Sequence, residues 1–200
     1  MPRSRLLTSA DWPEPELRAA VLAGELVQVG PCWASPAEPQ TPDLRAAAVA
    51  WALRDPRLLA GTRTAAWIWG ATSRAPAPLE ACIPPQVRLH GDGGVRVREV
   101  LIGDDEVVRL ASLGVTTPLR TAVDLLRTPG GDFGTAEADA VLGLVAIGAV
   151  DVDAVEERLS GLGTIPMARQ ATRRLRALQR SPAQSSPGQP SPGQPNPAQS

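Results

Sequence analysis

Few side chains in this sequence could perform acid–base or nucleophilic chemistry. It contains one histidine, His90, and two cysteines, Cys32 and Cys82, that lack a CxxC spacing. A carboxylate run, Asp104-Asp105-Glu106, could hold a divalent ion, but an exposed turn before a strand explains it equally well. We find no Walker loop, no GxSxG motif and no cluster with metal-ligand spacing. The sequence therefore predicts a protein that is not an enzyme and uses no cofactor or metal.

The charged residues narrow the function further. All 20 basic residues are arginine, so a PD-(D/E)xK nuclease centre cannot form in its usual version. The net charge is only −1, so any surface that binds nucleic acid must be local. The sequence shows neither a signal peptide nor an apolar run of membrane-spanning length. We therefore expect a cytoplasmic protein with no membrane contact and with reduced, partly buried thiols.

The first 35 residues have the pattern of a small winged helix-turn-helix head. Residues 13–23 predict a helix with proline near its start and Gly24 just past its end. Residues 25–29 predict a strand, which a turn at Gly30-Pro31 joins to a return strand at 32–34. In a winged helix the helix enters the major groove and the hairpin forms the wing.

Four side chains of this head are candidates for contact with DNA. Arg18 on the helix could reach a guanine edge or a phosphate, and Gln28 on the wing could reach the backbone or minor groove. Arg3 and Arg5 resemble a flexible arm that enters a groove. Solvated side chains and a disordered terminus are the alternatives. The head is also acidic, which opposes phosphate binding; the carboxylates belong to Asp11, Glu14, Glu16 and Glu25.

The remaining chain predicts a small α+β domain with antiparallel strands and C-terminal helices. Residues 36–42 form a linker, 43–180 the domain, and 181–200 a disordered tail in which Ser-Pro-Gly-Gln-Pro repeats. Residues 71–86 read as a proline-rich loop, 87–90 and 95–98 as a hairpin, and 106–110 as a strand. Predicted N-caps at Thr41, Thr62, Thr135 and Asp151, together with apolar periodicity, indicate the helices, at 42–54, 63–69, 118–127, 136–147, 152–159 and 166–180.

The last predicted helix carries a possible second basic surface. Its apolar residues form one stripe, and four arginines lie nearly opposite: Arg169, Arg173, Arg176 and Arg180. No acidic residue occurs between Arg158 and the end of this helix. The surface could bind nucleic acid or an acidic partner, and a solvated face is the alternative.

Three strings, in this order, resemble the AbiEi-like antitoxins. Residues 25–33 are similar to that family's wing, and residues 64–70 to a short helix that ends in glycine. Residues 115–125 follow the signature Val-Thr-Thr-Pro-x-Arg-Thr-x-x-Asp-Leu. The matching motif residues are Thr116, Thr117, Pro118, Arg120, Thr121 and Asp124. A structural reading also explains them, because Thr117 can cap a helix, Pro118 can begin it, and Arg120 can pair with Asp124 on its outer side.

The resemblance implies an antitoxin of a type IV toxin–antitoxin system that acts in abortive infection and phage defence. Its winged helix would bind double-stranded DNA at its own promoter and repress the operon. Its second domain would oppose a nucleotidyltransferase-like toxin without a tight complex. The low-complexity tail begins where some relatives carry a nuclease-like domain, so we expect none here. Two alternatives remain: an interaction module that does not bind DNA, and a truncated relative of the nuclease-fused proteins.

Overall fold

A computed structural model of the protein describes residues 6–85, 94–130, 133–163 and 167–180. Arg3, Arg5, His90 and the tail at 181–200 lie outside these ranges. The described chain is α+β, as predicted. Its helices are α1 Glu14–Leu22, α2 Pro42–Leu53, α3 Thr62–Trp69, α4 Pro118–Leu126, α5 Thr135–Ala146, α6 Val152–Gly161 and α7 Ala168–Arg180. Its strands are β1 Val27–Val29, β2 Cys32–Ala34, β3 Leu59–Ala60, β4 Leu79–Ile83, β5 Val95–Glu99, β6 Val107–Leu110 and β7 Leu113–Thr116.

The N-terminal region contains the helix and the hairpin that the sequence predicts. Strands β1 and β2 are antiparallel, and Gly30 takes a left-handed conformation (φ 57°) at the turn. Helix α1 buries Leu17 and Ala20 and leaves its other face exposed. Within residues 6–34, α1 is the one α-helix that the structure describes, whereas a helix-turn-helix requires two. The winged helix therefore stays a prediction.

The hairpin packs against the body of the protein. Val29, Cys32 and Ala34 are buried in the same hydrophobic core as α2 and α3. A Cβ atom on Gly30 would lie 3.0 Å from the ring of Trp67, so the turn approaches α3 closely. Gln28 is the exposed side chain of β1.

A five-stranded sheet, ordered β5-β4-β3-β7-β6, forms the centre of the body. The pairs β3–β4 and β6–β7 are antiparallel, but β3–β7 and β4–β5 are parallel. The sheet is therefore mixed, and the expectation of antiparallel strands holds for two of its four pairings. Parallel neighbours need a long connection, and between β3 and β7 that connection contains α3, β4, β5 and β6.

The expected loop at 71–86 is wrong in its second half. Strand β4 occupies residues 79–83, and all five of its residues are buried. A strand that is buried on both faces lacks the alternation by which strands are recognised. The expected hairpin at 87–98 falls partly outside the described residues, and its second half, β5, pairs in parallel with β4.

Helix α4 is the centre of the helical half, where it contacts α3, α5, α6 and α7. Every residue from Thr121 to Leu126 is buried as a result. The expectation that Arg120 and Asp124 pair on an outer surface is therefore wrong, because Asp124 is only 9% exposed. They do pair, but inside the protein.

Both cysteines are free thiols in the core. Burial raises the pKa of each to about 12, which keeps the thiols protonated and unreactive at neutral pH. Among the described residues, no helix combines the length and apolar character needed to cross a membrane.

Candidate functional site

The two described DNA-contact candidates of the head lie at its surface. The Arg18 guanidinium is bound to the Glu14 carboxylate, one helical turn away, at 2.7 Å. Both side chains are more than half exposed, so this ion pair is weak. The Gln28 side-chain amide donates to the Gly30 carbonyl at 3.0 Å. Neither contact prevents DNA binding, but Arg18 must leave Glu14 to reach a phosphate or a base.

Of the helices that the structure describes, α7 contains the most arginines. Its buried side consists of Ala168, Ala171 and Leu175. The four arginines predicted as a second basic surface are all exposed: Arg169, Arg173, Arg176 and Arg180. The helix contains no acidic residue, so no carboxylate within α7 neutralises them. We call these four residues the α7 basic face.

The fifth arginine of α7 has a different role. Arg174 donates through Nη1 to the carbonyl oxygens of Leu126 at 2.8 Å and Thr128 at 2.6 Å. Its guanidinium also lies over the Phe133 ring, 4.1 Å from the centroid. Arg174 therefore stabilises the packing of α7 against the end of α4 and is not part of the α7 basic face.

The signature motif builds the junction between β7 and α4. The Thr117 hydroxyl accepts from the Arg120 amide at 3.2 Å and caps α4, and Pro118 occupies the first turn. The hydroxyl groups of Thr116 and Thr121 are 2.7 Å apart. Trp69 donates from its indole nitrogen to the Thr116 carbonyl at 2.8 Å. These contacts explain the residue types of the motif by their structural roles.

Arg120 lies at the centre of a largely buried cluster of charged side chains. Its guanidinium binds Asp124 through Nε at 2.8 Å, binds Glu106 through Nη1, and donates to the Leu101 carbonyl at 3.1 Å. Arg158 of α6 binds the other oxygen of Glu106 at 2.9 Å. The cluster therefore joins α4, α6 and the turn before β6.

The pKa values of the two carboxyl groups in this cluster are shifted in opposite directions. Burial dominates at Asp124 and raises its pKa, although Arg120 opposes the rise. At Glu106 burial also raises the pKa, but hydrogen bonds from Arg158 and the Gly103 amide, together with the charge of Arg120, outweigh it and the net shift is downward. Glu106 is thus held ionised, while Asp124 is the easier of the two to protonate.

A cavity of about 420 Å³ adjoins the cluster; we call it the motif pocket. Its charged lining consists of Arg98, Glu106, Arg120, Asp124, Arg127 and Arg158. The sequence indicated Arg120 and Asp124 through the motif and Glu106 through the carboxylate run, and it included Arg158 only as the start of a segment without acidic residues. It missed Arg98 and Arg127, which come from β5 and the end of α4. Helical spacing places Arg127 on the same face of α4 as Arg120 and Asp124, whereas no spacing in the sequence indicates that Arg98 lies close to them.

The carboxylate run that could have held a metal ion has another role. Asp104, Asp105 and Glu106 form a 3-10 turn before β6, and Glu106 binds two arginines. In the ranges that the structure covers, no group of three or more His, Cys, Asp or Glu residues could hold a metal ion. The alternative of an exposed turn before a strand fits Asp104 and Asp105.

A second buried carboxylate fixes α3 on the sheet. Glu80 of β4 accepts from the Thr62 hydroxyl at 2.5 Å, and from the Arg63 backbone amide at 3.0 Å and side-chain Nε at 2.9 Å. Burial raises its pKa, but these hydrogen bonds outweigh it, so the pKa of Glu80 is lowered. Arg63 also binds Glu137 of α5 at 3.3 Å. This network, which no sequence pattern indicates, orients α3 beside the motif pocket.

Comparison with known proteins assigns the body to a family. The model of the AbiEi antitoxin C-terminal domain matches residues 58–178, which is more than half of the chain. The chain therefore belongs to this family and carries an antitoxin domain of a toxin–antitoxin system. The matched range contains the motif, the motif pocket and most of α7, but not the head.

The crystal structure of the RV2827C protein from Mycobacterium tuberculosis is similar to this chain at 21% identity. The similarity covers 88% of this chain and 73% of that one, with a TM-score of 0.44. No curated protein matches the chain significantly.

Proposed function

We propose that this protein is a non-enzymatic, cytoplasmic antitoxin that binds double-stranded DNA at its own promoter and represses its operon. Its body opposes a nucleotidyltransferase-like toxin without a tight complex, in a system that acts in abortive infection. The family match supports the antitoxin role. The α7 basic face carries the proposal of DNA binding.

The α7 basic face has the properties of a phosphate-binding surface. Arg169 and Arg180 are separated by eleven residues, or about 16 Å of helix, which corresponds to roughly five base-pair steps of 3.4 Å. Phosphate contacts dominate the affinity of proteins for DNA, and they require clustered cations. Arginine is suited to them because its planar fork binds two phosphate oxygens at once.

The head contributes differently in this proposal. Its described residues contain one arginine, Arg18, against four carboxylates, so it supplies little nonspecific attraction. We assign base-edge contacts to Arg18 and backbone or minor-groove contacts to Gln28, with the predicted arm of Arg3 and Arg5 in a groove. The sequence dependence of binding should therefore reside in the head and most of its strength in α7.

Arginine-to-alanine variants can separate these contributions. Fluorescence anisotropy would measure binding to DNA from upstream of the gene and to an unrelated duplex. We expect Arg176→Ala to weaken binding to both duplexes equally, and Arg18→Ala to reduce the preference for the promoter. Arg74→Ala removes an exposed arginine from the loop after α3 and serves as the matched control. Absence of binding by the wild-type protein would refute the proposal.

The antitoxin role needs its own experiment. If a nucleotidyltransferase-like gene lies next to the gene for this chain, its induction should stop bacterial growth, and co-expression of this chain should restore it. A variant without the four arginines of the α7 basic face should still restore growth from a heterologous promoter, because repression is then bypassed. Failure of the wild-type chain to restore growth would contradict the antitoxin role.

A second candidate function, protein interaction without DNA binding, has one observation in its favour. Trp12, two residues before α1, and Leu22, its last residue, are 51% and 91% exposed, and tryptophan is enriched in protein interfaces. On this alternative, the chain and the toxin should co-elute in gel filtration, and a Trp12→Ser/Leu22→Ser variant should not. Separate elution together with promoter binding favours the first function.

A further inference from the structure

We propose that the motif pocket binds a small ligand that carries a phosphate monoester. This inference does not depend on DNA binding by the head or by α7. It rests on three observations: an excess of positive charge, a buried donor without an acceptor, and a cavity of suitable size.

Positive charge exceeds negative charge around the motif pocket. Of the described residues, four arginines and two carboxylates line it, which leaves a surplus of two positive charges. Arg120 and Arg158 are bound to the carboxylates. The structure shows no hydrogen bond or salt bridge from the Arg98 or Arg127 side chain to another described residue.

Arg127 also has a donor that lacks an acceptor. Its Nε is shielded from solvent and has no hydrogen-bond partner in the described chain. Buried donors are nearly always satisfied in folded proteins, because an unsatisfied one loses its hydration without compensation. If the Arg127 guanidinium rotates towards the motif pocket, an anionic oxygen there provides the acceptor, because arginine can bind phosphate oxygens through two N–H groups.

The charge and the dimensions of the pocket indicate the class of anion. A phosphate monoester carries about 1.5 to 2 negative charges at pH 7, which matches the two surplus positive charges. A backbone diester carries one charge and matches them less well. The volume, about 420 Å³, lies within the ~300–1,000 Å³ typical of small-molecule sites. Val100, Leu101, Val123 and Leu162 supply apolar walls for the organic part.

Isothermal titration calorimetry of the full chain would test this assignment. The probes are inorganic phosphate, a nucleoside 5′-monophosphate, and a dinucleoside monophosphate whose only phosphate is a diester. We expect saturable binding of one monophosphate per chain, at least tenfold tighter than binding of the diester. Arg98→Gln and Arg127→Gln should each weaken monophosphate binding at least tenfold, whereas Arg74→Gln should bind like the wild type.

Several outcomes would overturn the proposal. These are an absence of saturable binding by inorganic phosphate and by the monophosphate, equal affinity for monophosphate and diester, and unchanged binding by both pocket variants. Circular dichroism would show whether each variant is folded. Arg98 is on the sheet-edge strand β5, so Arg98→Gln keeps the test valid if Arg127→Gln does not fold. Promoter binding measured on the same samples distinguishes failure here from failure of the DNA-binding proposal.

Discussion

The Arg120 guanidinium binds the Asp124 carboxylate at 2.8 Å within a single helix, with both side chains only 10% exposed. The pair Arg18 and Glu14 has the same spacing and nearly the same distance, but its side chains are 72% and 51% exposed. One chain thus contains a buried and an exposed version of the same interaction. The buried pair also holds Glu106 and borders the motif pocket.

These two pairs should differ strongly in their effect on stability. Arg120→Ala removes the positive charge that pairs with the buried carboxylates of Asp124 and Glu106. We therefore expect the free energy of unfolding to fall by about 3 kcal/mol. Arg18→Ala should change it by less than about 0.5 kcal/mol, because solvent screens that pair. Urea denaturation measures both. Equal effects of the two substitutions would contradict the role given to Arg120.

Substitutions of the α7 arginines should fall into two groups by their effect on the stability of the protein. Arg174→Ala removes two hydrogen bonds to buried carbonyl groups and the contact with Phe133, and should cost about 2 kcal/mol. Arg173→Ala, at the neighbouring exposed position, should change stability by no more than about 0.5 kcal/mol. Thermal and urea unfolding of the two variants provide the comparison. A large loss for Arg173→Ala would show that the α7 basic face has a structural role.

Helix positions were largely predictable from the sequence, whereas the sheet was not. Thr41 and Asp151 cap α2 and α6 as predicted, because capping depends on residues close in the chain. The caps predicted at Thr62 and Thr135 are wrong, because each of these helices begins one residue earlier than expected, and the Thr62 hydroxyl instead donates to Glu80. Strands β3, β4 and β7 escaped prediction because they are short or fully buried.

Glu80 should make stability depend on pH in the acid range. The pKa of Glu80 is lower in the folded protein than in the unfolded chain. The ionised carboxylate therefore stabilises the folded state fully above the ordinary glutamate pKa of about 4.3. This stabilisation is lost as the pH falls through the lower pKa of the folded protein. We expect Glu80→Gln to reduce the loss of stability between about pH 5 and pH 3. Glu157→Gln, at an exposed position on α6, should leave the wild-type profile. Identical profiles for Glu80→Gln and the wild type would contradict this role.

Because Gly61 and Cys82 are closely packed, substitutions at the two positions should have non-additive effects on stability. A Cβ atom on residue 61 would overlap the Cys82 sulfur, and both residues are buried. We expect Gly61→Ala to destabilise the protein by about 1–3 kcal/mol. Cys82→Ala removes the obstructing atom, so the double variant should be more stable than the sum of the two single effects indicates. Additive effects would show that the chain relaxes around the new methyl group.

The two candidate sites could be predicted from the sequence to different degrees, because one consists of residues close in the chain and the other of residues that only the fold brings together. The α7 basic face follows from helical spacing within 13 residues, so the sequence indicates it directly. The motif pocket brings together Arg98, Arg120, Arg127 and Arg158 from three elements and a helix end. Their proximity depends on the parallel pairing of β4 with β5 and on the contact of α4 with α6. Neither relationship can be inferred from local sequence patterns.

The salt dependence of promoter binding tests the central claim most directly. The logarithm of the association constant should fall linearly with the logarithm of salt concentration, by about 0.9 for each phosphate contact. A variant with glutamine at positions 169, 173, 176 and 180 should show a shallower slope, by up to about 3.6. Arg74→Gln should show the wild-type slope. A quadruple variant with the wild-type slope, or a wild-type protein that does not bind its promoter, would contradict the account.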